Sequence, residues 1–423
     1  MHKLTTTKIH KQINFPARLL LLLLAVLLLP GCGRRADKTS EPSIASQNVP
    51  ASGPVSTPAP TPEPTPAPTP EPTPVPTPEP VTVSLIAVGD NLIHDSIYLS
   101  CYDPDTETYD FSSLFCNIAG DIEAADIACI NQETIFTEDP VWYGSYPTFA
   151  SPTAVGDAIV AAGFDVVTHA TNHSWDRYLI GVNDTAGYWR QHPEIDMIGL
   201  HDTQEDADRL HVVERSGIRL AVLNYTYPYK STAYRAKEIM PWYFDQLSDK
   251  DAIAEDIARA SASSDGVIVF VHWGTEYQTV PNDFQKEWGS FFADCGVLAV
   301  IGSHPHVLQP VEVLTGKTGN EMPCFWSLGN YISHQTKPDQ ILGGMARLSI
   351  TKDDTGTYIS EYSLTPLVTL VAATRETYNH LYFTTYKLED YSAEVASRNT
   401  IRGSSPENLQ QLFTKITGLP FNP

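Results

Sequence analysis

Basic residues are scarce in this chain of 423 residues: 27 Lys and Arg stand against 50 Asp and Glu, a formal net charge of −23. Nucleic-acid binding needs clustered cations to neutralise phosphates, and no basic stripe runs through the part that reads as folded. Nucleic acid is therefore not expected as a partner. The same acidity would repel a polyanionic substrate unless metal ions or a local basic pocket offset it. Cysteine is also sparse, with six residues. If Cys32 is modified as argued below, an odd set remains: Cys101, Cys116, Cys129, Cys295 and Cys324. That does not describe a disulfide framework. Cys129 and Cys324 sit in apolar runs and read as buried thiols; Cys101 with Cys116 is the candidate for a single bridge. Long apolar runs are missing too. The run from Leu19 to Leu29 falls well short of the ~20 residues a membrane-spanning helix needs.

That short run does fit the apolar core of an export signal. Lys3, Lys8, Lys11 and Arg18 precede it, and Leu28-Leu29-Pro30-Gly31-Cys32 follows with the shape of a bacterial lipobox. Residues 1–31 are expected to be a lipoprotein signal peptide, with the lipid on Cys32; an uncleaved anchor is the alternative. Either way the body is expected outside the cytoplasm, attached to the membrane. Residues 32–80 read as a stalk, ending in TPAPTPEPTPAPTPEPTPVPTPEP. Proline at every second position removes backbone donors and fixes φ, so neither helix nor sheet can form. An extended rod at about 3.1 Å per residue would reach roughly 75 Å. A lipid anchor plus a stalk suits a Gram-positive envelope.

From Val81 to about residue 370 short apolar runs alternate with helical stretches. Strands are expected at 81–89, 125–132, 165–171, 218–225, 265–272, 297–303, 324–333 and 345–350, near-continuously apolar as in strands buried on both faces. Helices are expected from Ser151-Pro152 to Ala162 and over 176–191, 247–262 and 283–294. The alternation predicts α/β layers around mostly parallel sheets. Residues 371–423 read as a C-terminal extension with a helix near 406–416.

Chemistry collects where the strands end, as it does beyond the carboxyl edges of open α/β sheets. SLIAVG is followed by Asp90, IACINQ by Glu133, VVTHAT by Asn172 and His173, GVIVFV by His272, and LAVIGS by His304 and His306. One such residue is usually a cap or turn former; five strand ends carrying metal-competent side chains point to a metal site. In extended backbone His304 and His306 would share a face, and Pro305 biases His304 toward that conformation. Adjacent Asn172 and His173 would point apart, Asn172 to a metal and His173 to a substrate. A carboxylate such as Glu133 can bridge two cations. Mixed imidazole and oxygen donors suit Mn, Fe or Zn better than Ca.

The segments AVGDNLI, INQETIF, FDVVTHATNHSWDRY, VFVHWGTEY, VIGSHPHVLQPVE and FWSLGNYI, in this order, resemble the CapA (poly-γ-glutamate capsule biosynthesis) family, over about 81–335. The resemblance implies a metallophosphatase-like fold, a sandwich of two mixed sheets flanked by helices. It implies metal ligation of one or two divalent ions by Asp90, Glu133, Asn172, His272, His304 and His306. It makes His173 the general acid, with Asp176 either pairing with it or capping a helix. The wider superfamily opens with Asp-x-His, where this chain has Leu92; His94 is a candidate substitute. Glu133 stands where the superfamily usually has Asp.

Around this set, Glu276 and Asn330 are candidate substrate-binding residues, and His169 reads as a core histidine. Trp142, Tyr143 and Tyr146 either line a polymer groove or pack their own loop. The function expected is synthesis, export or processing of a poly-γ-glutamate-like capsule or envelope polymer through a metal-dependent hydrolase-type site. The alternative is a non-catalytic polymer-binding or scaffold subunit of an export assembly. An anionic cell-surface polymer is the expected partner, with membrane-bound synthase or export subunits beside it.

Overall fold

The apolar runs become the central strands of two mixed sheets in a computed structural model that describes residues 79–228, 242–374 and 381–421. The signal segment and almost all of the stalk, Cys32 included, lie outside the described residues. In the first sheet the strand Val81–Asn91 is parallel to Ile127–Gln132, which is followed by Val166–Thr168 and Asp196–Ile198. On its other side come the antiparallel strands Leu342–Asp353, Gly356–Ala373 and Leu381–Lys387. The second sheet runs Val311–Thr315, Glu321–Phe325, Ala299–Ser303, Gly266–His272, Ile218–Thr226, Val212–Arg215, parallel at its centre and antiparallel at both edges. This is the two-sheet α/β sandwich that the resemblance implies. Among the described residues no helix is long and apolar enough to cross a membrane.

The period of two along a strand explains both layers. In Gly266–His272, Ile268 and Phe270 enter the larger core together with Ile86 and Ile130 of the first sheet. Val267, Val269 and Val271 face a second core, built with Ile253, Ile257, Trp288 and Phe292 from the helices Lys250–Ser263 and Asp283–Asp294. His272 continues the Ile268–Phe270 face, so the alternation alone turns it toward the other sheet. Those two helices start on side-chain caps. Asp249 accepts from the amides of Asp251 and Ala252, and Asn282 forms a capping box with Gln285.

Four expectations are corrected. Ser151-Pro152 does not open a helix: it pairs with Phe136–Thr137 as a short strand, and the helix runs Ala154–Ala162. The run at 324–333 is not one strand. Glu321–Phe325 belongs to the second sheet and Asn330–Ile332 pairs with Val81–Asn91 in the first, so the four residues between them cross the sandwich. The boundary at residue 370 falls inside the strand Gly356–Ala373, and Leu381–Lys387 extends the same sheet. The helix expected near 406–416 is Pro406–Thr417, burying Leu409 and Phe413. The Cys101–Cys116 bridge does not form; both are free thiols, as are the buried Cys129 and Cys324.

Register fixes the site. Asp90 lies opposite both Asn131 and Asn330, and Asn131 opposite Thr168. In the second sheet His272 lies between Thr226 and Ser303. The crossing segment closes the gap: Gly329 O accepts from the Asp90 amide at 2.9 Å, and Leu328 N donates to Gly302 O at 2.9 Å. The approach at Gly89 is so close that a Cβ there would lie 1.9 Å from Gly329 O. Backbone cannot yield as a flexible side chain can, so Gly89→Ala should cost about 3 kcal/mol, the upper range for overpacking. Urea unfolding checks this; an unchanged midpoint would show that the two segments separate freely.

Candidate metal centre

The carboxyl edges of the two sheets converge on two overlapping triads of buried donors. Asp90, Glu133 and His306 form one, and Glu133, His272 and His304 the other; within each the ligand atoms lie within 4.8 Å of one another. Glu133 belongs to both. It follows the strand Ile127–Gln132 directly and is fully buried.

Asp90 is held from several sides. Asn131 Nδ2 donates to its Oδ1 at 2.8 Å, the His304 amide reaches both oxygens at 3.3 and 3.2 Å, and His306 Nδ1 lies 3.1 Å from Oδ2. Asn131 is held in turn by Thr168, whose hydroxyl donates to Oδ1 at 2.8 Å. His272 Nδ1 lies 2.9 Å from Ser303 Oγ, and its Nε2 lies 2.8 Å from Asn172 Oδ1 and 3.6 Å from Glu133 Oε1. The rings of His272 and His304 stand 4.8 Å apart.

The His304-Pro305-His306 backbone departs from expectation. Both histidines are left-handed, at φ +94° and +58°, not extended. A non-glycine residue pays about 1–2 kcal/mol for that conformation. The kink sends the two rings to different triads, His304 beside His272 and His306 beside Asp90, where a shared extended face would have sent both to one place. Asn172 and His173 depart in the opposite sense. They do not point apart: Asn172 Nδ2 lies 3.2 Å from His173 Nε2, and both side chains reach the centre.

The electrostatics leave room for cations. Both Glu133 oxygens and His304 Nδ1 are buried without a hydrogen-bond partner. Burial pushes the Glu133 carboxyl well above its ordinary range; His306 opposes that shift and Asp90 adds to it. Burial holds His272 and His304 well below the usual imidazole value, keeping them neutral as ligation requires. For His306 burial alone would do the same, but the Glu133 and Asp90 carboxylates outweigh it and lift it to about 9. Orphaned oxygens, a neutral imidazole with a free nitrogen and a mixed N/O donor set fit a divalent metal.

His173 flanks the triads. Its Nδ1 lies 2.6 Å from Asp176 Oδ2, its Nε2 3.9 Å from Glu133 Oε1, and Phe149 packs edge-on at 4.7 Å. Asp176 thus pairs with His173 and also accepts from the Phe149 amide at 2.6 Å; it caps no helix, since Tyr178–Trp189 starts without a side-chain cap.

The remaining candidates fall around this group. Asn330 is buried behind His306, its Oδ1 3.0 Å from Nδ1 and its Nδ2 donating to His306 O, Gln340 O and Gln335 Oε1. These bonds hold Asn330 against His306. Glu276 is exposed at the rim. His94 joins neither triad: its Nδ1 lies 3.2 Å from Leu92 O, its ring packs on Phe149, and burial lowers it to about 4. Tyr146 and Trp142 are largely exposed, while Tyr143 packs on Tyr98 and Tyr109. Sequence reasoning missed Asn131 and Ser303. The signal for Asn131 was a polar residue inside the wholly buried run IACINQ, which needs a bonded partner.

Residues 84–335 match the family described as bacterial capsule synthesis protein, PGA_cap. The chain belongs to that family. It is 29% identical over 205 residues to the PGA biosynthesis protein CapA of Bacillus subtilis (strain 168), covering 48% of this chain and 50% of that one. It is 30% identical over 182 residues to the capsule biosynthesis protein CapA of Bacillus anthracis, covering 42% of each. The chain thus spans about half the length of the curated relatives it matches. Among solved structures, the calcineurin-like phosphoesterase YfkN from Bacillus subtilis aligns with a TM-score of 0.43 at 13% identity, over 80% of this chain and 97% of that one.

His169, read as a core histidine, lies in the PGA_cap body beside Phe136 and accepts from Trp189 Nε1 at 2.9 Å. Burial lowers it to about 3. The unfolded chain therefore takes up a proton below about pH 6.5 that the fold refuses, and stability is lost as pH falls through that window. His169→Gln keeps an acceptor for Trp189 and should flatten the acid limb by about 1.4 kcal/mol per pH unit between pH 6 and 4. Denaturant titrations across that range check this; parallel curves for the two proteins would contradict it.

Proposed function

We propose that this PGA_cap protein is an extracytoplasmic, lipid-anchored hydrolase of capsule or envelope polymer metabolism. Its substrate is an anionic cell-surface polymer of the poly-γ-glutamate kind, processed at a divalent-metal centre. One observation carries the reading: Glu133 belongs to both donor triads, has no hydrogen-bond partner, and lies 3.9 Å from His173 Nε2. The polymer context comes from the relatives, which are PGA and capsule biosynthesis proteins. The anchor at Cys32 and the Gram-positive setting come from the N-terminal sequence. Membrane-bound synthase or export subunits are the partners that fit this context.

Asp90, Glu133 and His306 would hold one cation; Glu133, His272 and His304, with Asn172 beside them, would hold a second. Bound Mn, Fe or Zn would supply Lewis-acid polarisation of the scissile group and of the attacking water. The chain's own residues do the rest. Asp176 accepts from His173 Nδ1 and turns Nε2 to the centre, where it can hold the proton that a leaving group needs. Phe149 covers one edge of that ring from water. Asn131 and the His304 amide keep the Asp90 oxygens from rotating.

Elemental analysis of the full-length protein loaded with Mn, Fe or Zn should find about one or two equivalents, reduced in Asp90→Ala and His304→Ala. His173→Asn should retain the metal while hydrolysis of poly-γ-glutamate falls roughly 10²–10⁴-fold. Failure to retain any of the three metals would overturn the hydrolase reading in favour of polymer binding alone. Metal retention with an unaffected His173→Asn would remove the proton-donor role.

A further inference from the structure

Two ring contacts out from His306, by way of Tyr277, stands a lysine that the centre itself does not use. Lys337 is exposed, and its Nζ stands 5.9 Å from the centroid of the Tyr277 ring. No carboxylate pairs with it among the described residues. The contrast is with Arg177, next to Asp176, whose guanidinium donates to Trp142 O at 2.7 Å and Thr148 O at 2.8 Å and so braces a loop.

Tyr277 is built into place. Its φ is +63°, a conformation an aromatic residue adopts only when its surroundings impose it. The constraint comes from the metal-ligand loop: Tyr277 N donates to Pro305 O at 2.7 Å, and Gln309 Nε2 donates to Gln278 O at 2.8 Å. The ring stands 6.1 Å from that of His306. Its hydroxyl is 3.4 Å from Gln335 Nε2, whose Oε1 accepts from Asn330 Nδ2 at 3.0 Å, and Asn330 Oδ1 lies 3.0 Å from His306 Nδ1. A continuous row of contacts, His306, Asn330, Gln335, Tyr277, Lys337, thus leads from the Asp90–Glu133–His306 triad to an exposed cation. Glu276, next to Tyr277 in the chain, is exposed.

We infer that Lys337, positioned over Tyr277, is an anion-receiving subsite that takes a carboxylate of the polymer some distance along the chain from the group held at Glu133. The inference rests on the reading of the substrate as a polyanion. Lys337 favours a carboxylate at the far end of the contacts that run from His306 through Tyr277, so the distance between the two points selects the spacing of charges that can be accommodated. An acidic chain held at both points enters in one register, which a metal centre alone cannot impose.

The test is binding of a poly-γ-glutamate oligomer to the full-length, Mn-loaded protein over a range of salt. Lys337→Gln should weaken binding roughly five-fold at low salt and flatten its salt dependence, with metal content unchanged. Lys337→Arg should restore both. Tyr277→Leu should weaken binding as well, and its effect should not add to that of Lys337→Gln, because the two act as one unit. Equal binding and an equal salt slope for Lys337→Gln and the parent would overturn the subsite and leave the polyanion reading standing. If the parent itself binds no oligomer with or without metal, the polyanion reading fails and the subsite falls with it.

Discussion

Asp90 and Glu133 are both fully buried where the carboxyl edges of two sheets meet, and much of the surrounding structure answers to that burial. An ion removed from water costs several kcal/mol unless it is paired and hydrogen-bonded. Asp90 is compensated by the protein: an asparagine side chain, a backbone amide and an imidazole all point at it. Glu133 is not, since its nearest imidazole nitrogens stand at 3.6, 3.7 and 3.9 Å. The difference separates a carboxylate that the fold satisfies from one left for an ion to satisfy. Burial keeps His272 and His304 neutral, while the Glu133 and Asp90 carboxylates draw His306 toward the charged form.

The second requirement is that two sheets remain in register at one edge. The crossing from Phe325 to Asn330 does this with backbone bonds to both sheets, to Asp90 on one side and Gly302 on the other. Trp273 Nε1 adds a bond to Trp326 O at 2.9 Å. The left-handed residues His304, His306 and Tyr277 cluster at this same junction. Their conformational cost is held in place by the sandwich beneath them, which is how strained backbone persists near functional groups.

Much of this was legible in the residues. The central strands announced themselves because parallel strands buried on both faces must be apolar throughout. The donor set was legible because Asp90, Glu133, His272 and His304 end such runs, where side chains leave the sheet. The strands Asp196–Ile198 and Val311–Thr315 were not legible. The first is three residues long, and the second is a largely exposed edge whose polar face carries no strand period. Asn131 escaped notice because a residue inside a strand looks structural until its partner is known.

The sequence by itself determined the alternation of strands and helices, the family to which the chain belongs, and the identity of the side chains at the strand ends. Those properties are local: periodicity, propensity and motif order need no knowledge of what lies opposite. Only the tertiary structure decided which donors fall in one triad. That depends on register between strands far apart in the chain, and on a left-handed kink at His304 and His306 that proline chemistry alone argues against. It also decided that 324–333 serves two sheets, that Asn330 braces His306, and that Lys337 stands over Tyr277. Each is a matter of distance between residues that the linear order leaves unrelated.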